Sequence, residues 1–207
     1  MWRRSLSGQL QLPLINADRM MLSILPEPNS DGELSGWARD LRDTNESWMR
    51  VAQRGVQAFI AHSMQAKVPF AMETVFSHWQ ERPDGTFESK IDQIRDLQQA
   101  GYFVLLLFVG LANSGLSVLR VATRVAENGH NVQPQRLLDR FPRTQQAIRA
   151  AIPVADATIL LDNSRNQSHA FTVCTVHRQP DRLYDIRANG ASVPRVIREW
   201  LDVVCPE

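Results

Sequence analysis

Three apolar runs end in polar side chains that could do chemistry: Asn16-Ala17-Asp18, Glu73-Thr74 and Asp162-Asn163-Ser164. In open parallel sheets ligands bind just beyond the carboxyl ends of the strands, so residues in these places come first. Asp18 has the chemistry of a general base, because a carboxylate at a strand end can take the proton of a hydroxyl whose oxygen attacks phosphorus. Asn16 or Asp18 would equally serve as the cap of a following helix. Glu73 follows four apolar residues, where a carboxylate needs solvent or a partner and can hold a substrate hydroxyl or a metal-bound water. Asp162 and Asn163 fit ordinary turn chemistry after a strand.

A second set is cationic. Arg120 and Arg124 share a helical face, and His130, Arg136, Arg140 and Arg143 follow. Guanidinium groups bind phosphate oxygens in pairs and stabilise charge on a transferring phosphoryl group. The same array also reads as a solvated basic face. The 23 basic and 22 acidic residues leave a net charge of +1, so no global field draws in nucleic acid or an anionic membrane. The basic stretch from Arg136 to Arg149 lacks interleaved aromatics and a recognised nucleic-acid-binding module, which argues against a nucleic-acid partner. No histidine stands at metal-ligand spacing to His130, no metal-ligand spacing surrounds Cys174 or Cys205, and no Gly-x-Ser-x-Gly elbow occurs. The cysteine usage and the absence of an apolar leader fit a reduced, cytoplasmic protein with no membrane partner.

These residues need a scaffold, and the hydrophobic spacing supplies one. Apolar residues from Trp48 to Met64 recur at three and four, which predicts a helix over 44–67, and a shorter helix follows Asp18 up to Pro26. The segment 68–72 reads as a strand, 87–100 as a helix stopped by Gly101, 102–111 and 157–161 as strands covered on both faces. Beyond Ser164 a hairpin around Gln179-Pro180-Asp181 and a helix over 193–203 are expected. The 207 residues suit one α/β domain with a mostly parallel sheet, the hairpin and helix of 170–203 being appended to it.

In order, Leu14-Ile15-Asn16-Ala17-Asp18, Phe70-Ala71-Met72-Glu73-Thr74, Ala100-Gly101-Tyr102, Arg120-Val121-Ala122-Thr123-Arg124-Val125, Gly129-His130-Asn131-Val132 and Leu161-Asp162-Asn163-Ser164 resemble the zeta-toxin-like family of P-loop kinases over residues 5–164. The resemblance implies a three-layer P-loop NTPase fold, ATP and Mg2+ as cofactors, and phosphoryl transfer to a hydroxyl of a small molecule. UDP-N-acetylglucosamine is the acceptor associated with toxin members, and an antitoxin protein is the implied partner. By position, Asp18 is implied as catalytic base, Glu73 and Thr74 as substrate-side residues, and Arg120, Arg124, His130 and Arg140 as a lid over the nucleotide phosphates, with Arg120 also catalytic.

The family's first strand and its Gly-x-x-x-x-Gly-Lys-Ser/Thr loop do not occur in residues 1–207. Met1 to Leu6 stand where the helix after that loop is expected, so the resemblance implies about twenty further residues of strand and loop ahead of Met1. Without them the expected chain is impaired for ATP and holds no metal ligand of its own. The alternative is a non-catalytic remnant or binding module of the same fold.

Overall fold

The computed structural model describes residues 11–126, 133–188 and 192–207, and His130 of the sequence reading lies outside them. The chain divides into two compact units, one holding residues up to 74 with 121–126, the other the remainder. The described residues form an α/β structure of seven helices, a mixed four-stranded sheet and two two-stranded sheets.

The first unit starts with β1 (Leu14–Ile15), which runs parallel to β2 (Ala71–Met72). The expected strand over 68–72 is therefore cut to two residues. Pro69 has no N–H to give, and the ladder opens only with Ala71 N donating to Pro13 O at 2.9 Å. Between these strands lie α1 (Ala17–Ser23), α2 (Gly36–Asp43) and α3 (Glu46–Ala66). Asn45 caps α3 by accepting from Trp48 N at 2.9 Å, and Lys67 closes it in the left-handed region at φ 55°. The buried residues Ile15, Met21, Ala38, Ala52 and Ile60 make the core of this unit. A Cβ at Gly55 would stand 2.6 Å from Met20 Cε, the far end of a flexible side chain of α1 that packs over this glycine of α3.

The second unit corrects one expected helix. Phe87 to Ser89 form β4, antiparallel to β3 (Trp79–Glu81), and the helix α4 begins only at Lys90 and ends at Gln99. Phe87 fits the helical spacing of Ile91 and Ile94, but its ring stacks on Trp79 at 4.5 Å, and Ser89 and Asp92 form a capping box that starts the helix behind it. Gly101 stops α4 at φ 85°, as its place in the sequence predicts.

Four strands follow: β5 (Leu105–Gly110), β6 (Ala157–Asp162), β7 (Thr172–Arg178) and β8 (Asp181–Asp185), in that spatial order. The sheet is mixed rather than mostly parallel. β5 pairs parallel with β6, whereas β7 and β8 continue antiparallel, because the C-terminal hairpin joins directly to β6 instead of lying beside a finished sheet. The crossover between β5 and β6 carries α5 (Ser114–Ala126) and α6 (Pro134–Ala151), and α7 (Arg195–Val204) ends the chain's regular structure.

Ile197, Trp200, Leu201 and Val204 put one apolar stripe of α7 into a core with Ile148, Leu160 and Cys174, each large side chain contributing about 1.5–3 kcal/mol. A Cβ at Gly110 would overlap the Trp200 indole, so β5 ends in glycine where α7 comes closest.

A buried guanidinium fastens α7 to the hairpin. Arg187 donates to both oxygens of Asp185 at 3.0 and 2.7 Å, to Asp202 Oδ1 at 2.7 Å and to the Cys205 carbonyl at 2.8 Å. Burial opposes the Asp185 charge, but the hydrogen bonds from Arg187 outweigh it and hold the carboxyl below the usual range. His177 is buried nearby, with Nε2 3.2 Å from Thr175 Oγ1 and 3.4 Å from Cys205 Sγ. Burial first, then Arg182 and Arg187, push its pKa down against the pull of Asp185.

A base whose folded pKa is depressed contributes stability that is complete above its unfolded value, about 6.5, and is lost as pH falls below it. Urea unfolding should therefore shift to lower denaturant as pH drops from about 7 to 5. His177→Gln should flatten that slope, while the loss attached to Asp185 should begin only near pH 4 and below.

Candidate functional site

The first unit gathers the acceptor-side residues of the sequence reading. Asn16, only 9% exposed, stands at φ −150° and ψ 127° between β1 and α1. Its Oδ1 accepts from Arg19 N at 2.9 Å, which caps α1, and its Nδ2 donates to Glu73 Oε2 at 2.8 Å. Asn16, not Asp18, is thus the cap, and the residue that fills the capping role also holds the candidate carboxylate. Glu73 N donates to Ile15 O at 3.1 Å, continuing the parallel register Leu14 with Ala71 and Ile15 with Met72. That register brings the carboxyl ends of β1 and β2 side by side. Asp18 follows Asn16 in the first turn of α1, exposed, with no hydrogen bond or ion pair to another described residue. Thr74 is exposed next to Glu73.

The second unit has its own set at the carboxyl ends of β5 and β6, and here the polar residues are committed to structure. Asp162 is fully buried; its Oδ1 accepts from Ser164 N at 2.8 Å and its Oδ2 from Arg165 Nε at 3.0 Å. Arg165 also donates to Thr172 Oγ1 at 2.7 Å. Ser164 Oγ accepts from Ala112 N at 2.7 Å, and Asn163 N donates to Gly110 O at 2.9 Å, which lock this turn to the end of β5. The turn chemistry read from Asp-Asn-Ser is what the geometry shows.

Arg120, on α5, reaches the same turn: its Nη2 donates to the carbonyls of Asn163 at 2.9 Å and Arg165 at 3.0 Å. Arg124 follows one turn later on α5, and Arg140 lies half-buried on α6, where Arg143 Nε donates to the Asp139 carbonyl at 3.1 Å. The structure therefore joins Asn16, Glu73 and, through the first turn of α1, Asp18 in one place, and joins Arg120 to the Asp162 turn in another.

Sequence reasoning missed Arg165, whose signal was its position three residues after a buried aspartate, and it missed the Asn16–Glu73 pair, 57 residues apart. Neither cysteine offers a nucleophile: burial, then the nearby Asp162 charge, push the Cys174 thiol up to about 11, and burial raises Cys205. Among the described residues no group of three His, Cys, Asp or Glu side chains could hold a metal ion, and no helix is long and apolar enough to cross a membrane. Comparison with family models, with curated proteins and with solved structures gives no match to this chain.

The two bonds of Asn16 can be separated by substitution. Asn16→Ala should cost about 1 kcal/mol in urea unfolding, the usual loss for an N-cap. Asn16→Asp keeps the cap but sets a second carboxylate against Glu73, so its deficit should be larger at pH 7 than near pH 4, where carboxylates begin to protonate. Equal deficits at both pH values would show that the contact with Glu73 carries no energy.

Proposed function

We propose that this chain carries the acceptor half of an ATP-dependent small-molecule kinase of the zeta-toxin-like kind. The observation that carries the reading is the parallel β1–β2 register, which sets Glu73 beside the end of β1, with Asp18 in the first turn of the α1 that follows and Asn16 bonded to Glu73 at 2.8 Å. Asp18 is exposed and has no hydrogen bond or ion pair with another described residue, the state a general base needs before substrate arrives. In this reading Asp18 takes the proton of an acceptor hydroxyl as its oxygen attacks, and Glu73 and Thr74 hold neighbouring hydroxyls of the acceptor, a nucleotide sugar such as UDP-N-acetylglucosamine. A P-loop arrangement of the strands, a cytoplasmic setting and an antitoxin partner belong to the same proposal.

The donor side fits less well. ATP and Mg2+ would supply the phosphoryl group and neutralise its charge, but residues 1–207 contain no Gly-x-x-x-x-Gly-Lys-Ser/Thr, and the described residues offer no metal-ligand cluster. Arg120 already spends Nη2 on two backbone carbonyls. No donor-side step follows from these residues, and transfer requires phosphate ligands from outside them. The absence of a Gly-x-x-x-x-Gly-Lys-Ser/Thr loop from residues 1–207 favours a second reading, in which the fold serves as a binding module without transfer.

The test uses the native protein and the 207-residue chain side by side, each with magnesium, γ-labelled ATP and a panel of nucleotide sugars. The kinase reading expects label on an acceptor hydroxyl with the native protein, and a fall in kcat of at least about 100-fold for Asp18→Asn with nucleotide binding retained. Near-normal turnover in Asp18→Asn would remove Asp18 as base. Acceptor binding without any transfer by either protein would establish the binding-module reading.

A further inference from the structure

The side-chain amide of Asn16 has one partner at each end. Oδ1 accepts from Arg19 N at 2.9 Å, and Nδ2 donates to Glu73 Oε2 at 2.8 Å. A backbone N–H can only donate, so Oδ1 is the atom that must meet Arg19, and Nδ2 is thereby turned to Glu73. The reverse orientation would set donor against donor at the helix start and oxygen against oxygen at the carboxylate. The cap of α1 therefore decides which atom Glu73 meets. Asn16 is only 9% exposed, so both ends of its amide need partners inside the protein.

The strand pairing does not depend on this bond. Ala71 N donates to Pro13 O at 2.9 Å and Glu73 N to Ile15 O at 3.1 Å, and these backbone bonds hold β1 against β2 in their parallel register. Nor does the helix start depend on it, since Ser and Asp cap helices about as well as Asn does. What Asn adds among these caps is an N–H donor beside the capping oxygen. That donor is spent on an exposed carboxylate, whose other oxygen, Oε1, makes no hydrogen bond to a described residue.

We propose that Asn16 is a positioning residue of the acceptor site: by holding Oε2 it fixes the Glu73 carboxylate, so that Oε1 accepts from a hydroxyl or amide N–H of the bound acceptor. The proposal rests on the reading of Glu73 as an acceptor-side residue. An ionised carboxylate has lone pairs and no proton, so the part of the ligand that it grips carries donors, as a sugar ring does, and is not a phosphate oxygen. A glutamate held at one oxygen has also lost rotamer freedom before the ligand arrives, and the complex gains by what need not be ordered on binding.

Calorimetric binding of UDP-N-acetylglucosamine and the other nucleotide sugars of the transfer test to the full 207-residue chain reads this without ATP. Asn16→Ser keeps a capping oxygen and loses the amide donor, and Asn16→Asp keeps the cap and the shape and loses the same donor. Urea unfolding confirms that each variant folds. Either change should weaken binding of the sugar about tenfold, the usual loss for a hydrogen bond to a charged group. Placed in a Glu73→Ala chain, the same change should weaken binding by less than about twofold, because the carboxylate that Asn16 positions is gone.

A residue that only caps α1 would give the same loss with and without Glu73, or no loss in either, and both results overturn the proposal. So does failure of the parent chain to bind any of these sugars. The kinase reading fails separately: coupling of Asn16 to Glu73 in sugar binding, with no transfer by the native protein, removes the kinase and keeps Asn16 as the positioning residue of a binding module.

Discussion

Wherever a strand or helix stops, its last backbone N–H and C=O groups must find partners, and that requirement organises most polar side chains in this protein. Asn16 stands where β1 ends and α1 begins, and its amide serves both sides of the junction, accepting from Arg19 N and donating to Glu73. Ser89 and Asp92 perform the same service between β4 and α4. At the end of β6 a buried carboxylate, a serine hydroxyl and two arginines tie the turn to β5 and to β7. The apolar cores could not form without these handovers, because each unsatisfied buried group would cost about 1–3 kcal/mol, the same size as burying a leucine.

The same requirement separates polar residues that are spent from those that remain available. Asp162 looks as chemically able as Asp18 in sequence, since both follow an apolar run. Yet Asp162 is fully buried with both oxygens engaged, and Asp18 is exposed with no partner among the described residues. Arg120 is an intermediate case. Its Nη2 braces two carbonyls, while its other guanidinium N–H groups make no hydrogen bond to a described residue. A guanidinium has five donors, so bracing a turn does not consume it.

Legibility from sequence followed element length. The helix expected over 44–67 lies at Glu46–Ala66, and the strand expected over 157–161 at Ala157–Asp162, because several periods of spacing, caps and breakers agree there. Gly101 and the turn at Gln179-Pro180-Asp181 were readable from single residues with special backbone needs. Three-residue strands show too little alternation to betray themselves, and Phe87 fell into the phase of the helix after it. The site divides the same way. Glu73 and Thr74 were visible as residues just past a strand, Asp18 as a residue just past an apolar run though it lies in the first turn of α1, and Asp162 to Ser164 as a turn. The Asn16–Glu73 bond depends on the register of two parallel strands 57 residues apart, which hydrophobic spacing does not encode.

Charge balance explains why so small a set of residues has to carry any chemistry. With 23 basic and 22 acidic side chains the protein has no overall field to concentrate an anionic substrate, so recognition of phosphate must come from particular donors. In the second unit most such donors are taken: Arg165 by Asp162 and Thr172, Arg187 by Asp185, Asp202 and Cys205, Arg82 by Asp92. Removing a guanidinium from a buried carboxylate leaves a charge behind in low dielectric, which a passing phosphate cannot compensate at the same place. A phosphate meeting this unit would therefore have to draw on exposed side chains and on backbone amides, and backbone amides bind anions best where a loop points several of them at one spot. Capped helix starts such as that of α1 have already given part of theirs to a side chain, which leaves fewer free amides there for an anion.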